Sequence, residues 1–303
     1  MAITSSSVIQ NLLRPGLRDI LIAAQTDDAE SKRIFDRKTS DKNFEIDVEV
    51  ALLPLGREKP EGTEIYYEQM RQTYTTTYVN RSYGLGFIVT REAIDDNLYK
   101  KDFPMQADSL KNSMQQLQEV NAASVLNNSF DSNYPIGDGQ SLVSTAHPLA
   151  NGTTQSNGVS VAVGLNEAAV QDFVSQQIKF RAASGLFDVV KPDKLIVPTE
   201  LAYNADRLCA SQYRPATANN DIGVIPDMKL LPGGYIQWRY LTSSTAWWLQ
   251  TNANLGLTMF DRVPLEFDTI EDNSLKAVKV TAYQRYSFGV TNFRCISGTS
   301  GVA

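Results

Sequence analysis

FPMQADSLKNSMQQLQEVNAASVLNNSF, residues 103–130, decides the fold. Phe103, Ala107, Leu110, Met114, Leu117, Val120, Ala123, Leu126 and Phe130 recur every three or four positions, the spacing of one helix face. Pro104 sits where a first helical turn tolerates a missing N–H. From 104 to about 128 such a helix is roughly 38 Å long at the standard rise, well beyond the usual length in globular proteins. It is a rigid spine, and the rest of the chain has to pack around it.

Upstream, the period changes. In FEIDVEV, residues 44–50, Phe44, Ile46, Val48 and Val50 alternate with acids, the pattern of a half-exposed strand. A turn-rich PLGREKPEG (54–62) follows, then EIYYEQMRQTYTTTYVNRSYGLGFIVT (64–90), rich in the Tyr, Thr and Val that strands prefer. Residues 43–90 thus read as an extended two-stranded loop, tipped by Arg57, Glu58, Lys59 and Glu61. An isolated ribbon is marginal in water, so it needs a support, and a neighbouring subunit is the natural one. The tip charges are either simply solvated or an electrostatic contact with that neighbour. Ahead of the ribbon, TDDAESKRIFDRKTSDK (26–42) reads as a solvated connector whose anchors are Ile34 and Phe35. Residues 5 to about 25 have a helical pattern through Leu12 and Leu13, interrupted by Pro15-Gly16.

Downstream of the spine, residues 131–164 form an irregular insert with tight-turn signals at Asn151-Gly152 and Asn157-Gly158. A helix is expected from an Asn166 N-cap to about Ala183, stopped by Gly185. KLIVP (194–198) reads as a buried strand, Thr199 to about Ser211 as a helix, and 212–234 as loop. Strands are expected at Tyr235–Leu241, Ala246–Gln250 and Leu255–Phe260, with a last β-rich segment from Leu275 to Ile296. Strands and helices alternate unevenly, which indicates an α+β class.

The 303 residues are 42% hydrophobic and 20% charged, the composition of a folded globular chain. A formal charge of −6 argues against a dedicated nucleic-acid binder, which would be basic. MAITSSSVIQ has neither a basic start nor an apolar core of a signal, and no run approaches the ~18 apolar residues that span a bilayer. A chain made in the cytoplasm, with no membrane partner, is expected.

Chemistry is sparse. The two cysteines, Cys209 and Cys295, form no CxxC pair, so neither a disulfide framework nor a zinc site is expected. No phosphate-binding loop motif occurs. Gly84-Leu85-Gly86 lacks the third glycine and the strand-to-helix setting of a dinucleotide site, and close backbone approach within a sheet explains it better. Asp95-Asp96 suit a helix N-terminus better than a metal, and Gly137-Asp138-Gly139 suits a turn. Trp238, Trp247 and Trp248 are expected to pack in the core or between subunits. His147, the single histidine, lies in the insert as HP; a small hydrolase using Asp138, Ser141 and His147 is the one catalytic alternative. No catalytic, cofactor-binding or metal-ligating residue is otherwise assigned.

The order of these parts resembles the major capsid proteins of tailed bacteriophages, and in particular the Mu-like major head subunit group. The matching pieces are REAIDDNLYKKDFP before the spine, IGDGQSLVSTAHPLANG after it, and LNEAAVQDFVSQQIKF leading into KLIVPTELAYNADRLCAS. The resemblance implies a Hong Kong 97-type fold. Residues 1–42 would be an N-terminal arm and 43–90 the extended loop. Residues 91–198 with 275–303 would form a peripheral domain, and 199–274 an axial domain. It implies hexamers and pentamers closing an icosahedral shell around double-stranded DNA, within the virion. A portal, a separate scaffolding protein and a decoration protein are the partners expected. Candidate assembly contacts are Arg57, Glu58, Lys59, Glu61, Leu12, Leu13, Ile34 and Phe35. An encapsulin-like cellular nanocompartment shares the fold and is the alternative shell.

Overall fold

The computed structural model describes residues 29–51, 53–90, 92, 99–211, 213, 222–272 and 277–302. The expected helix over 5–25, with Leu12 and Leu13, and the Asp95-Asp96 pair lie outside these.

A short helix α1 (Ser31–Ile34) leads into β1 (Asp36–Thr39). The strands β2 (Phe44–Ala51) and β3 (Arg71–Val79) pair antiparallel from Phe44↔Val79 to Ala51↔Arg71 and make the ribbon. Its far end, residues 53–70, carries no strand. The next strand, β4 (Arg81–Thr90), leaves the ribbon. It pairs along its whole length with β11 (Ala277–Val290), which also pairs with β10 (Leu257–Asp272), and β1 closes the far side in the order β1-β10-β11-β4. The ribbon is therefore shorter than expected. Tyr83, Phe87 and Val89 alternate along β4 and turn onto the spine, which draws residues 81–90 into the body.

The spine, α2, runs Tyr99–Asn127, starting five residues earlier than its pattern indicates. Pro104 consequently lies one turn inside the helix, where it forgoes one backbone bond. Ala107, Leu110 and Met114 pack on Val278, Val280 and Ala282 of β11. Gly86 in β4 permits close approach to β11, because a Cβ there would meet the Val280 carbonyl at 2.7 Å.

The second sheet has the order β12-β9-β7-β8: β7 (Pro192–Val197), β8 (Gly234–Gln237), β9 (Trp247–Thr251) and β12 (Ile296–Thr299). The short strands β5 (His147–Pro148) and β6 (Thr154–Gln155) form a separate pair in the insert. One face of the second sheet is covered by α3 (Glu167–Ile178), whose N-cap Asn166 accepts from the Ala169 N–H at 2.8 Å, and by α4 (Ala202–Ala210). A last short helix, α5 (Val224–Asp227), adds Ile225 to this layer. The expected stop at Gly185 falls beyond the helix, in the turn that bonds Gly185 N–H to Ala182 O.

The two sheets meet in one cluster that includes Ile34, Phe35, Leu126, Trp238, Trp248, Met259, Tyr286 and Ile296. Trp247 and Trp248 point to opposite faces of β9, yet both are buried: Trp247 against Phe173, with centroids 5.0 Å apart, and Trp248 against Phe130 at 5.9 Å. Both faces of this sheet are covered, so neither tryptophan reaches a surface.

The sheets group the chain differently from the division expected at residues 198/199 and 274/275. Residues 257–272 belong with 277–290 under the spine, while 192–197 and 296–299 join the sheet of 234–237 and 247–251. The cause is the long antiparallel pairing of β10 with β11, which runs on to Asp272↔Ala277 and binds the two segments into one unit.

Candidate assembly surfaces

The ribbon's root is fixed to the body by polar contacts. Arg294, 1% exposed, follows the short 3-10 turn's Phe293 in a buried run. Its Nη1 reaches Glu49 Oε1 of β2 at 2.6 Å, and its Nε donates to Arg181 O at 2.7 Å. Tyr74 donates to Pro148 O at 3.0 Å, and Tyr78 meets Thr291 Oγ1 at 2.7 Å while packing edge-on to Phe260. Gly137 lies so close to β3 that a Cβ would meet Thr76 Oγ1 at 2.5 Å.

Beyond Ala51 the character reverses. Leu53, Leu55, Ile65, Tyr67 and Met70 are all exposed, Leu55 at 76% and Tyr67 at 85%. Arg57 stacks over the Tyr66 ring, 4.2 Å from its centroid. Tyr66 donates to Glu68, and that carboxylate pushes its phenol above the usual range. Arg57, Glu58, Lys59 and Glu61 are exposed, as expected of a tip. Large apolar side chains concentrated in one projecting loop are what a soluble monomer avoids and what a surface awaiting a partner carries.

Ile34 and Phe35, expected as contacts between subunits, lie instead inside their own subunit. Phe35 stacks edge-on against Phe288 at 5.0 Å and Trp238 at 6.4 Å. Two large apolar residues next to the second sheet gain more from that core than from an exposed position. The α1 N-terminus is tied down as well: Ser31 bonds through its backbone and hydroxyl to Glu119 of the spine, which also accepts from Trp238 Nε1 at 3.0 Å.

The Asp138–Ser141–His147 alternative does not assemble. His147 is fully buried and stacked on Phe293 at 4.1 Å, with Nδ1 2.6 Å from Asp138 Oδ2 and Nε2 3.0 Å from Asn157 Oδ1. Ser141 donates elsewhere, to Val143 O. Asn157 is the hub that the sequence announced only as a turn. Its Nδ2 serves Leu142 O, Phe293 O and Ile296 O, and its Oδ1 accepts from Ser144 N–H. The group therefore ties the insert to the C-terminal segment. The Arg294–Glu49 pair also escaped the sequence reading; an arginine inside the apolar run NFRCIS was its one signal. Among the described residues no group of three or more His, Cys, Asp or Glu is placed to hold a metal ion, and no helix is long and apolar enough to cross a membrane.

A family described as phage capsid protein matches residues 73–297, from the ribbon's second strand to the start of β12. The chain belongs to that family. It is a major capsid protein, a structural component of a bacteriophage head, and its place is the virion shell. The fold agrees. The procapsid of bacteriophage JBD30 is similar with a TM-score of 0.55 at 14% identity, over 99% of this chain and 77% of that one. The capsid of Myoviridae phage XM1 is similar with 0.53 at 11%, over 89% of each chain. A virus-like particle from Pyrococcus furiosus is similar with 0.52 at 10%, over 95% and 98%. No curated protein matches this capsid protein by sequence. Together these place it in the Hong Kong 97-like capsid fold, built from α and β elements as its uneven alternation indicates.

Proposed function

We propose that this capsid protein is of the Mu-like major head subunit type and builds the hexamers and pentamers of an icosahedral shell enclosing double-stranded DNA. Its ribbon, residues 44–79, lies across the adjacent subunit. The observation that carries this is the exposure of Leu55, Ile65, Tyr67 and Met70 on a loop with no cover in its own chain among the described residues. Burying such side chains stabilises an interface by about 1.5–3 kcal/mol each. Repeated over a closed shell, modest contacts suffice. Assembly takes place in the host cytoplasm with a separate scaffolding protein and a portal, and a decoration protein binds the finished surface. The sheet carrying 257–272 and 277–290, with the spine, forms the peripheral domain. The sheet carrying 192–197, 234–237, 247–251 and 296–299 forms the axial domain. An encapsulin-type compartment uses the same fold, and membership in a phage capsid family favours the phage head.

The test is negative-stain electron microscopy of the purified chain beside a Leu55→Ser/Ile65→Ser/Tyr67→Ser variant. The parent should give closed particles or sheets of capsomers. The variant should stay subunit-sized with an unchanged circular dichroism spectrum. Normal particles from the variant would remove the ribbon from the assembly.

A further inference from the structure

We propose that the loop 53–70 of one subunit docks on a cationic edge of a second copy, formed by residues 31–42; this names the acceptor for the ribbon and rests on the reading above.

The argument starts from charge. In a chain of formal charge −6, residues 31–42 stand out. They hold five cations (Lys32, Arg33, Arg37, Lys38 and Lys42) against Asp36 and Asp41 only. All five cations are exposed, and of them Lys38 is already paired with Asp47 at 3.8 Å. The loop has the opposite balance, with Glu58, Glu61, Glu64 and Glu68 against Arg57 and Lys59. Arg57 is stacked on Tyr66 and Glu68 receives its hydroxyl, so Glu58, Glu61 and Glu64 are the acids left to face a partner. Opposite potentials of this kind steer encounter and fix register.

The acceptor also has the right shape. The strand β1 lies at an edge of its sheet, pairs with β10 on one side, and is exposed at all four residues. Such edges accept an added strand through backbone bonds. In TEIYYEQM, residues 63–70, alternation would put Glu64 and Glu68 on one face and Ile65 and Tyr67 on the other. Beside Arg37 a cavity of ≈ 170 Å³ opens, in which Met259, Val263, Leu265 and Phe267 offer the apolar pair contacts while Lys111, Glu119 and Asp261 line it as well. The rival acceptor is the edge of β4, which offers the loop's acids the single cation Arg81 at its start and no charge from Ser82 to Thr90.

The experiment is a charge exchange in the full chain. Arg33→Glu/Lys42→Glu should leave the subunit folded by circular dichroism and lower particle yield by roughly tenfold. Adding Glu61→Lys/Glu64→Lys to the same chain should restore it. A folded double variant that assembles normally, or a quadruple variant without recovery, overturns the assignment. If the double variant does not fold, cross-linking decides. Tyr67→Cys/Lys38→Cys, with Cys209→Ala and Cys295→Ala, should give intersubunit disulfides on oxidation of assembled particles. Failure of the thiol introduced at position 67 to link to that at position 38, or its capture by Ile88→Cys on β4 instead, also overturns the assignment, while leaving the ribbon reading intact. Particles from a chain lacking residues 56–67 would instead defeat that reading itself.

Discussion

Cys295 is wholly enclosed, with Gly256 so near that a Cβ there would meet its Cβ at 2.6 Å. Burial pushes its thiol up to about 12, and that of the half-buried Cys209 up to about 11. Unfolded, both would ionise near 9. Between about pH 9 and 12 the folded chain therefore holds protons that the unfolded chain has released, and stability falls as pH rises. Burial raises Tyr78 and Tyr286 as well, with the same sign. The urea midpoint should decline as pH rises above about 9, and Cys295→Ala should make the decline shallower. An identical slope in both would show that the Cys295 thiol contributes nothing to the decline. The burial of Cys295 was not visible in sequence, and neither was that of His147. The sequence shows a histidine between turn signals, which describes an exposed loop equally well. Burial follows from Asn157 and Phe293, the second of them more than 130 positions away.

Elements were more legible than their partners. The spine was readable because Ala107, Leu110, Met114, Ala123 and Leu126 hold a helical period over about five turns and are buried, although Val120 of the same expected face is exposed. The strand β4 was read as part of the ribbon because a period of two is the same whatever the strand pairs with. Only the packing of Phe87 and Val89 on the spine separates it from β3. The ribbon's root depends on a charge pair that is almost dry, with Arg294 1% and Glu49 12% exposed in their side chains. Removing Glu49 leaves the buried Arg294 its bonds to Arg181 O and Asn292 Oδ1 but no counter-charge, so Glu49→Ala should cost roughly 3 kcal/mol in chemical unfolding. Arg294→Met added to it should recover part of that loss. Additive losses from the two changes would show that the pair is not coupled.

Over the whole molecule, the α+β class and the capsid fold followed from element order. The partition of the chain did not, because each sheet gathers strands from distant segments: β4 with β11, and β7 with β12 through β9. No local pattern encodes such grouping. If the cationic edge and the acidic loop meet between copies, association of dissociated subunits is electrostatically steered. Light scattering should then show assembly several-fold faster at ~20 mM than at ~500 mM salt, where screening shortens to a few ångströms. Salt-independent rates would leave apolar contact as the driving force.

The grouping of strands also has a bearing on biosynthesis. The strand β11 sits in the interior of its sheet, between β10 and β4, and β12 completes the other sheet from residue 296 onward. A ribosome making the chain from its N-terminus delivers the spine, the ribbon and most of the second sheet first. Yet it cannot close the first sheet until about residue 290 has emerged, since β4 has no neighbour before then. Pairing across nearly two hundred residues is slow and late. A nascent chain thus exposes its ribbon long before it has a body. Chains terminated before β10 would carry residues 31–42 without the strand that holds β1 in place, and would be left out of the growing shell.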